Sequence, residues 1–383
     1  MKIGHFVINF PSRREKVEVY GSERITYILC KELSKMGHIV KVFVPFNKEF
    51  VEMEGNMIVY FYKSQLKIQS FNFSFNLLLD STRHELDVVH IHNDSPMAMF
   101  AGLRYAKNKK KPLIVTWHGD WLGATIIRKL SAFVLNRTLV KSCLSHANAI
   151  IVPSIEYVNE SNILRRYRSK IVEIPHGVNL EELETPYSKE ESREILNLND
   201  DKIIVLYVGS VNKTKGVELL LRAASNIVSV NRNIQFIFVG GGKINEFREL
   251  AIKLDIDKNV RFTGYVDDKV KLIYYNSADI FVFPSMSKHE VFPVVTIEAA
   301  AFGLPIIVSN LRIFRKRIKD GYNGLYFKAG DENDLTRAIM YLIENEKLRR
   351  KIGKNARKEV EKYYNSKRMA MLTYRLYEEL IRT

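Results

Sequence analysis

At 383 residues, with 46% apolar and 27% charged residues, the chain has the composition of a folded globular protein and enough length for two cores. Two cysteines, Cys30 and Cys143, exclude a disulfide framework and a cysteine metal cluster, and they fit a reducing compartment. The net charge of +16 is weighted to the front, with +10 on residues 1–180 and +6 on the remainder. Such a balance suits a polyanionic partner (nucleic acid, an anionic lipid surface or a phosphorylated small molecule) or a simple solvated basic surface.

In chain order, the opening apolar stretch MKIGHFVINF breaks at Pro11 and turns charged, unlike the core and cleavage site of a signal peptide. No apolar run approaches the roughly 18 residues of a membrane span, so a cytoplasmic protein is expected. Strand-length apolar runs follow at 2–10, 39–45, 87–92, 112–118, 149–154 and 171–175, with amphipathic helical stretches at 22–36, 96–108, 124–145 and 155–167 between most of them. The rhythm repeats at 202–210, 234–242, 259–265, 279–285 and 304–310. Continuously apolar strands separated by helices predict parallel sheets covered on both faces. ANAIIVPS (147–154) and ADIFVFPS (278–285) echo each other at similar stages of the two halves. The pattern predicts two similar α/β domains, 1–178 and 179–365, with ligands at the carboxyl ends of strands and in the cleft between the domains.

Several motifs could carry chemistry. Gly21 stands just ahead of an amphipathic helix, where a glycine lets the backbone approach a ligand or simply makes the turn before a Ser22 cap. His90 and His92 lie two apart on a strand and face one way, and His118 ends another. Three histidines can bind a metal, but no matching carboxylate completes a site, and no metal is expected. Asp255 and Asp257 read as a turn or cap. GSVNKTKG (209–216) runs from a strand to a helix start, so Lys213 and Lys215 sit where free amides and the helix dipole favour an anion. The glycines at 240–242 form neither a dinucleotide fingerprint nor a P-loop, because Asn245 and Ile244 occupy the deciding positions. In KHEVFPVVTIEAAAFGLP (288–305), Pro293 suits a first helical turn, and helix is expected over 294–302. Glu290 would stand at the helix mouth beside the free amides of Val294 and Val295, with Glu298 on the second turn.

Together these pieces carry a resemblance. EVFPVVTIE looks like the E-x7-E motif of retaining, GT-B-fold glycosyltransferases of family 4 (group 1), and GSE, DVVHIH, TWHGD, IPHGVN, VGSVNKTKG, RFTGYV, ADIFVFPS and DGYNGLYF follow in the family's order over nearly the whole chain. The resemblance implies an α/β GT-B fold of two facing Rossmann-like domains with an interdomain cleft. The first domain would bind the acceptor and the second the nucleotide sugar, with a C-terminal helix, 366–383, packing back on the first. It implies that Glu298 binds the ribose and Glu290 the sugar hydroxyls. Lys215 and the amides after Phe292 and Pro293 would bind the diphosphate, and Gly21 would let its loop approach the phosphates. His118 would sit beside the reacting sugar, and Gly264 and Tyr265 would flank the base.

Three residues depart from the family pattern. Ser210 replaces an arginine on the diphosphate, leaving more charge to Lys215 and Lys213, and Val291 and Pro293 replace two glycines. The implied activity is transfer of a hexosyl group from a UDP- or GDP-sugar to a glycan or lipid-linked hydroxyl, without cofactor or metal. Residues 124–144, with Arg128, Lys129, Arg137 and Lys141, could lie on an anionic membrane surface or form a core helix with solvated cations. Two other readings stand beside this one. The glutamates could be the acid and base of a glycoside hydrolase, although a hydrolase has no use for a basic diphosphate site. A nucleic-acid-binding module would use the charge, but the chain has no recognised motif for it.

Overall fold

A computed structural model of the protein describes residues 1–15, 17, 21–68, 71–121 and 125–382. Val19 and Tyr20 ahead of Gly21, and Ala124 at the head of the basic stretch, lie outside the described residues. The chain forms two compact units, Met1–Gly177 with Ser366–Thr383, and Val178–Asn365.

The first unit holds an eight-stranded sheet. Its order is Ile171–Glu173, Ala149–Val152, Leu113–Thr116, Val88–His92, Lys2–Phe6, Ile39–Phe46, Met57–Lys63 and Phe50–Glu54, with only the last pair antiparallel. Its central strands are buried along their length, with Val88–His92 and Leu113–Thr116 wholly enclosed, as expected of parallel strands covered on both faces. The hairpin of Phe50–Glu54 and Met57–Lys63 is not among the expected strands. Its outer strand alternates half-buried and exposed residues around Gly55, at φ 58°, an edge pattern rather than a continuous apolar run.

The second unit holds a six-stranded, all-parallel sheet in the order Val260–Gly264, Ile234–Val239, Ile203–Val208, Ile280–Phe283, Ile306–Ser309 and Gly324–Phe327. In chain order this is 3-2-1-4-5-6, the doubly wound arrangement. Its order reverses between Ile203–Val208 and Ile280–Phe283, where ligands bind at the carboxyl ends. The ANAIIVPS and ADIFVFPS echo is therefore not a repeat of equivalent strands. Ala149–Val152 lies one strand from the edge of its sheet, whereas Ile280–Phe283 flanks the reversal point. Their likeness reflects a shared need for a short buried strand.

Two helical expectations are corrected. The stretch 155–167 is broken: helix Ile155–Glu160 ends at Ser161, whose backbone is extended and whose hydroxyl accepts from the amides of Ile163 and Leu164 at 3.3 and 3.1 Å. Gly21 and Ser22 lie inside the first turn of Gly21–Lys35 rather than ahead of it. The stretch 126–146 is continuous helix with one π-turn at Asn136–Val140. Cys30 and Cys143 are buried free thiols, and among the described residues no helix is long and apolar enough to cross a membrane. Asp255 makes a turn, at φ 55°.

Candidate active site

The reversal point of the second sheet presents two loops. The first leaves Ile203–Val208, caps a short turn with Asn212 (its Oδ1 accepts from Lys215 N at 3.0 Å) and enters helix Val217–Val230 through Gly216. The second leaves Ile280–Phe283 and enters helix Val295–Ala301. Cross-links tie them together. Met286 N donates to Thr214 O at 3.1 Å, and the Lys215 ammonium lies 2.6 Å from Glu290 Oε1. Ser285 Oγ donates to the same carboxylate oxygen at 2.7 Å. Glu290 is 8% exposed. Nearby, burial and then the Glu290 charge push the Tyr207 phenol well above its ordinary pKa. Glu290 and Lys215 thus meet each other across the two loops.

Glu298 is equally enclosed, at 3% exposed. Tyr275 OH donates to its Oε2 at 2.9 Å, and the Lys271 ammonium lies 3.3 Å from both carboxylate oxygens. The helix carrying it runs Val295–Ala301 with Val294 as N-cap, so Pro293 precedes the cap instead of filling the first turn. The Pro293 carbonyl accepts from the amide and hydroxyl of Thr296 at 3.2 and 2.7 Å. The amides of Val294 and Val295 meet no acceptor among the described residues.

Other expected residues spread along the same edge. Ser210 is exposed, and its carbonyl accepts from Tyr207 OH at 2.8 Å. Lys213 points to Glu246 at 3.5 Å, not to Glu290. Gly264 lines an open pocket of about 550 Å³ with Gly242, Lys243, Asn245, Arg248 and Thr263, and Tyr265 beside it is 70% exposed.

Four contributors escape the sequence reading: Ser285, Lys271, Tyr275 and Arg317. Arg317 is buried, and its three guanidinium nitrogens have no hydrogen-bond partner among the described residues. It lies 4.5 Å from the centre of the Phe292 ring and 5.3 Å from that of Phe314. Burial lowers its pKa to about 10, partly opposed by Tyr364, Tyr326 and Glu290, so it stays charged at neutral pH. Phe292, two residues after Glu290, is held by this contact.

His118 and Gly21 belong to the first unit. A side chain at Gly21 would meet nothing within 4 Å. His118 ends a chain of rings whose hydrogen bonds run one way. The Thr26 hydroxyl donates to Ser22 O at 3.0 Å, so its oxygen accepts from His92 Nδ1 at 3.0 Å. That same Nδ1–H lies 2.9 Å from His118 Nε2, which therefore accepts. His92 Nε2 then accepts from His5 Nδ1 at 3.1 Å. His5, unmarked in the sequence, joins His90 and His92 in a cluster whose ligand atoms lie within 4.8 Å of one another. Three neutral imidazoles are zinc-type donors. Here, however, both His90 nitrogens already face hydroxyls at 2.6 Å, from Tyr377 and Thr116.

Burial lowers the pKa of His5 to about 3 and of His118 to about 4, and holds His90 and His92 well below their ordinary value. The unfolded chain takes up these protons near pH 6.5 and the folded one does not. The stability they contribute is therefore full above pH 6.5 and falls as the medium acidifies toward the folded values, by up to about 1.4 kcal/mol per pH unit per histidine. Thermal melts should show Tm falling by on the order of 10 °C from pH 7 to 5.5, with a shallower slope in His5→Gln. A flat Tm over that range would contradict the burial of these rings.

Comparison with known proteins gives both units one class: the chain is a glycosyltransferase of GT-B fold. Residues 188–359 match the family model "Glycosyl transferases group 1" and residues 19–182 match "Glycosyltransferase Family 4", and the chain belongs to this family. It is 27% identical over 369 residues to O-antigen chain mannosyltransferase C of Escherichia coli, covering 94% of this chain and 95% of that one. It is 26% identical over 358 residues to alpha-monoglucosyldiacylglycerol synthase of Streptococcus pneumoniae, covering 89% and 78%. Among solved structures, Anabaena HepE in complex with UDP and glucose superposes with a TM-score of 0.77 at 16% identity, covering 99% of this chain and 100% of that one. The family membership overturns the glycoside hydrolase and nucleic-acid-module readings.

Proposed function

We propose that the protein transfers a hexosyl group from a UDP- or GDP-sugar to a hydroxyl of a glycan or lipid-linked acceptor, with retention of anomeric configuration. The observation that carries this reading is the Lys215–Glu290 contact, 2.6 Å long, on the two loops at the reversal point of the second sheet. Lys215 would turn to the diphosphate and Glu290 to the sugar hydroxyls. Glu298 would hold the ribose, and the Gly264–Tyr265 edge of the 550 Å³ pocket would hold the base. Phe292 and Pro293 would present the amides of Val294 and Val295 to the diphosphate, while Ser210 and Lys213 would line its outer side. His118 and Gly21 join the set on the family motifs. The names of similar proteins support the substrate classes: one relative is a mannosyltransferase of O-antigen chains, another makes a glucosyl lipid, and a fold neighbour binds UDP and glucose.

In the reaction, the acceptor oxygen bonds to C1 on the face from which the diphosphate oxygen departs. The acceptor proton passes to that diphosphate, and the products are a glycoside and a nucleoside diphosphate. The chain's contribution is charge stabilisation of the leaving diphosphate by Lys215 and positioning by Glu290 and Glu298. No metal or cofactor takes part in this scheme. The protein would work at the cytoplasmic side, peripherally attached to an anionic membrane through the basic stretch 126–146.

Calorimetric titration with UDP- and GDP-hexoses, followed by turnover with and without EDTA, tests the proposal. Donor binding with EDTA-insensitive turnover and an α-linked product from an α-linked donor is expected. Absence of affinity for every uridine or guanosine diphosphosugar would overturn it, and EDTA-abolished turnover would overturn the metal-free scheme.

A further inference from the structure

An apolar groove of about 420 Å³ opens in the first unit. One wall is the hairpin Leu66–Ile68 and Phe71–Phe73 with helix Phe75–Asp80, the other is helix Pro96–Lys109, and residues 131–139 of the basic helical stretch close it. Its lining includes Leu66, Phe73, Phe75, Met97, Phe100 and Leu135. The two polar side chains there are already engaged. Ser74 Oγ donates to Lys63 O and accepts from Leu77 N, and Ser131 Oγ donates to Arg128 O. The groove therefore offers a ligand no free side-chain donor, and its lining favours hydrocarbon over a polar or anionic group.

The rim is unusual for a water-facing surface. Phe75, Leu66 and Phe100 are 63%, 52% and 47% exposed, and helix Ile126–Leu135 buries none of its residues, with Ile126 at 85% and Leu130 at 65%. A monomer rarely leaves so many large apolar side chains uncovered on and beside one apolar groove. Charge identifies the occupant. Residues 121–155 contain four cations, Arg128, Lys129, Arg137 and Lys141, and no carboxylate. All four are exposed, and none pairs with an acidic side chain among the described residues. Helix Pro96–Lys109 carries Lys107 and Lys109 in its last turn, and Lys110, its left-handed C-cap, and Lys111 follow. Apolar groove and unneutralised basic rim together match a long hydrocarbon chain beneath an anionic head.

We propose that this groove binds the hydrocarbon chain of a lipid phosphate acceptor, with its phosphate held by the cations of 128–141. This rests on the glycosyltransferase reading above and names the acceptor class within it. The chain enters from the rim formed by Phe75 and Phe100, and the phosphate stays at the basic surface. No covalent step occurs in the groove.

The probe is a series of n-alkyl phosphates, C6 to C12, titrated below their critical micelle concentrations into the full chain. Inorganic phosphate and a neutral alkyl maltoside serve as the other arms. Affinity is expected to rise up to about fourfold per methylene until the groove is filled. It should be negligible for inorganic phosphate and at least tenfold weaker for the maltoside. Met97→Trp, which fills the groove, should weaken the C10 compound at least tenfold, and Arg128→Glu with Lys129→Glu should erase the preference for phosphate over maltoside. Donor titration of each variant reports folding and separates the two proposals. Donor binding without chain-length dependence overturns the groove alone. Chain-length dependence without donor binding supports the groove and overturns the donor reading. Binding to phosphatidylglycerol vesicles with alkyl phosphate binding unaffected by Met97→Trp would show surface adsorption instead and overturn the groove.

Discussion

Lys215→Ala should lower kcat about 10²–10³-fold, the loss typical when one preorganised stabiliser of developing negative charge is removed. The expectation follows from the position of the ammonium. It stands at the turn entering helix Val217–Val230, 29% exposed, with the Glu290 carboxylate at 2.6 Å. With Ser210 in place of an arginine on this loop and Lys213 turned toward Glu246, Lys215 is the cation of that loop held against Glu290.

Removing Lys215 also leaves the Glu290 carboxylate buried against the Ser285 hydroxyl without its neutralising cation, so some loss of stability accompanies the loss of rate. The two effects separate in a double-mutant cycle. If the pair serves only to hold the loops, Lys215→Ala with Glu290→Ala should recover Tm and much of the activity. If it serves catalysis, Tm recovers and kcat does not. Activity of Lys215→Ala within threefold of the parent, in folded protein, would remove the charge-stabilisation scheme.

The residues that declare themselves in the sequence are those whose chemistry is local. Ile203–Val208 and Ile280–Phe283 are runs of buried apolar residues with punctuation at their ends, and Glu290, Glu298 and Lys215 sit in motifs whose spacing is fixed by one loop and one helix turn. What stays hidden is non-local. Tyr275 and Lys271 reach Glu298 from a helix 23 and 27 residues upstream, and nothing in YYNS marks one tyrosine as a carboxylate partner.

Arg317 is hidden by its company. Arg312, Arg315, Lys316 and Arg317 crowd one short stretch of a basic chain, and only burial against Phe292 and Phe314 sets the last apart. His5 likewise lies in an opening strand that reads as plain core. It becomes a partner of His92 because Lys2–Phe6 and Val88–His92 are neighbours across the sheet with His5 opposite His90. The edge strand Phe50–Glu54 escapes for a different reason: half-exposed, it lacks the continuous apolar signature that marks the others, although its inner partner Met57–Lys63 (MIVYFYK) carries that signature.

Gly216→Ala should destabilise the protein by about 3 kcal/mol or more and abolish donor binding, although a methyl group is the only atom group added. Gly216 adopts φ 76°, in the left-handed region, which costs a residue with a side chain roughly 1–2 kcal/mol. The steric clash costs more: a Cβ there would stand 2.0 Å from the carbonyl oxygen of Pro284. That oxygen is backbone and cannot rotate away. Relief requires the loop after Ile280–Phe283 to move from the loop after Ile203–Val208. The contacts between them, Met286 N to Thr214 O and Lys215 to Glu290, would stretch or break. For a unit of this size the stability loss corresponds to a Tm decrease of roughly 6–12 °C.

Gly241→Ala is the control, because it lies on a neighbouring loop of the same sheet edge and a Cβ there meets nothing within 4 Å. It should change stability by no more than about 0.5 kcal/mol and leave donor affinity intact. Equal behaviour of the two variants, by thermal melting and donor calorimetry, would show that the close approach of these loops is not what builds the site. A difference of the predicted size would show that the glycine entering helix Val217–Val230 is there to let the lysine loop lie directly on the glutamate loop.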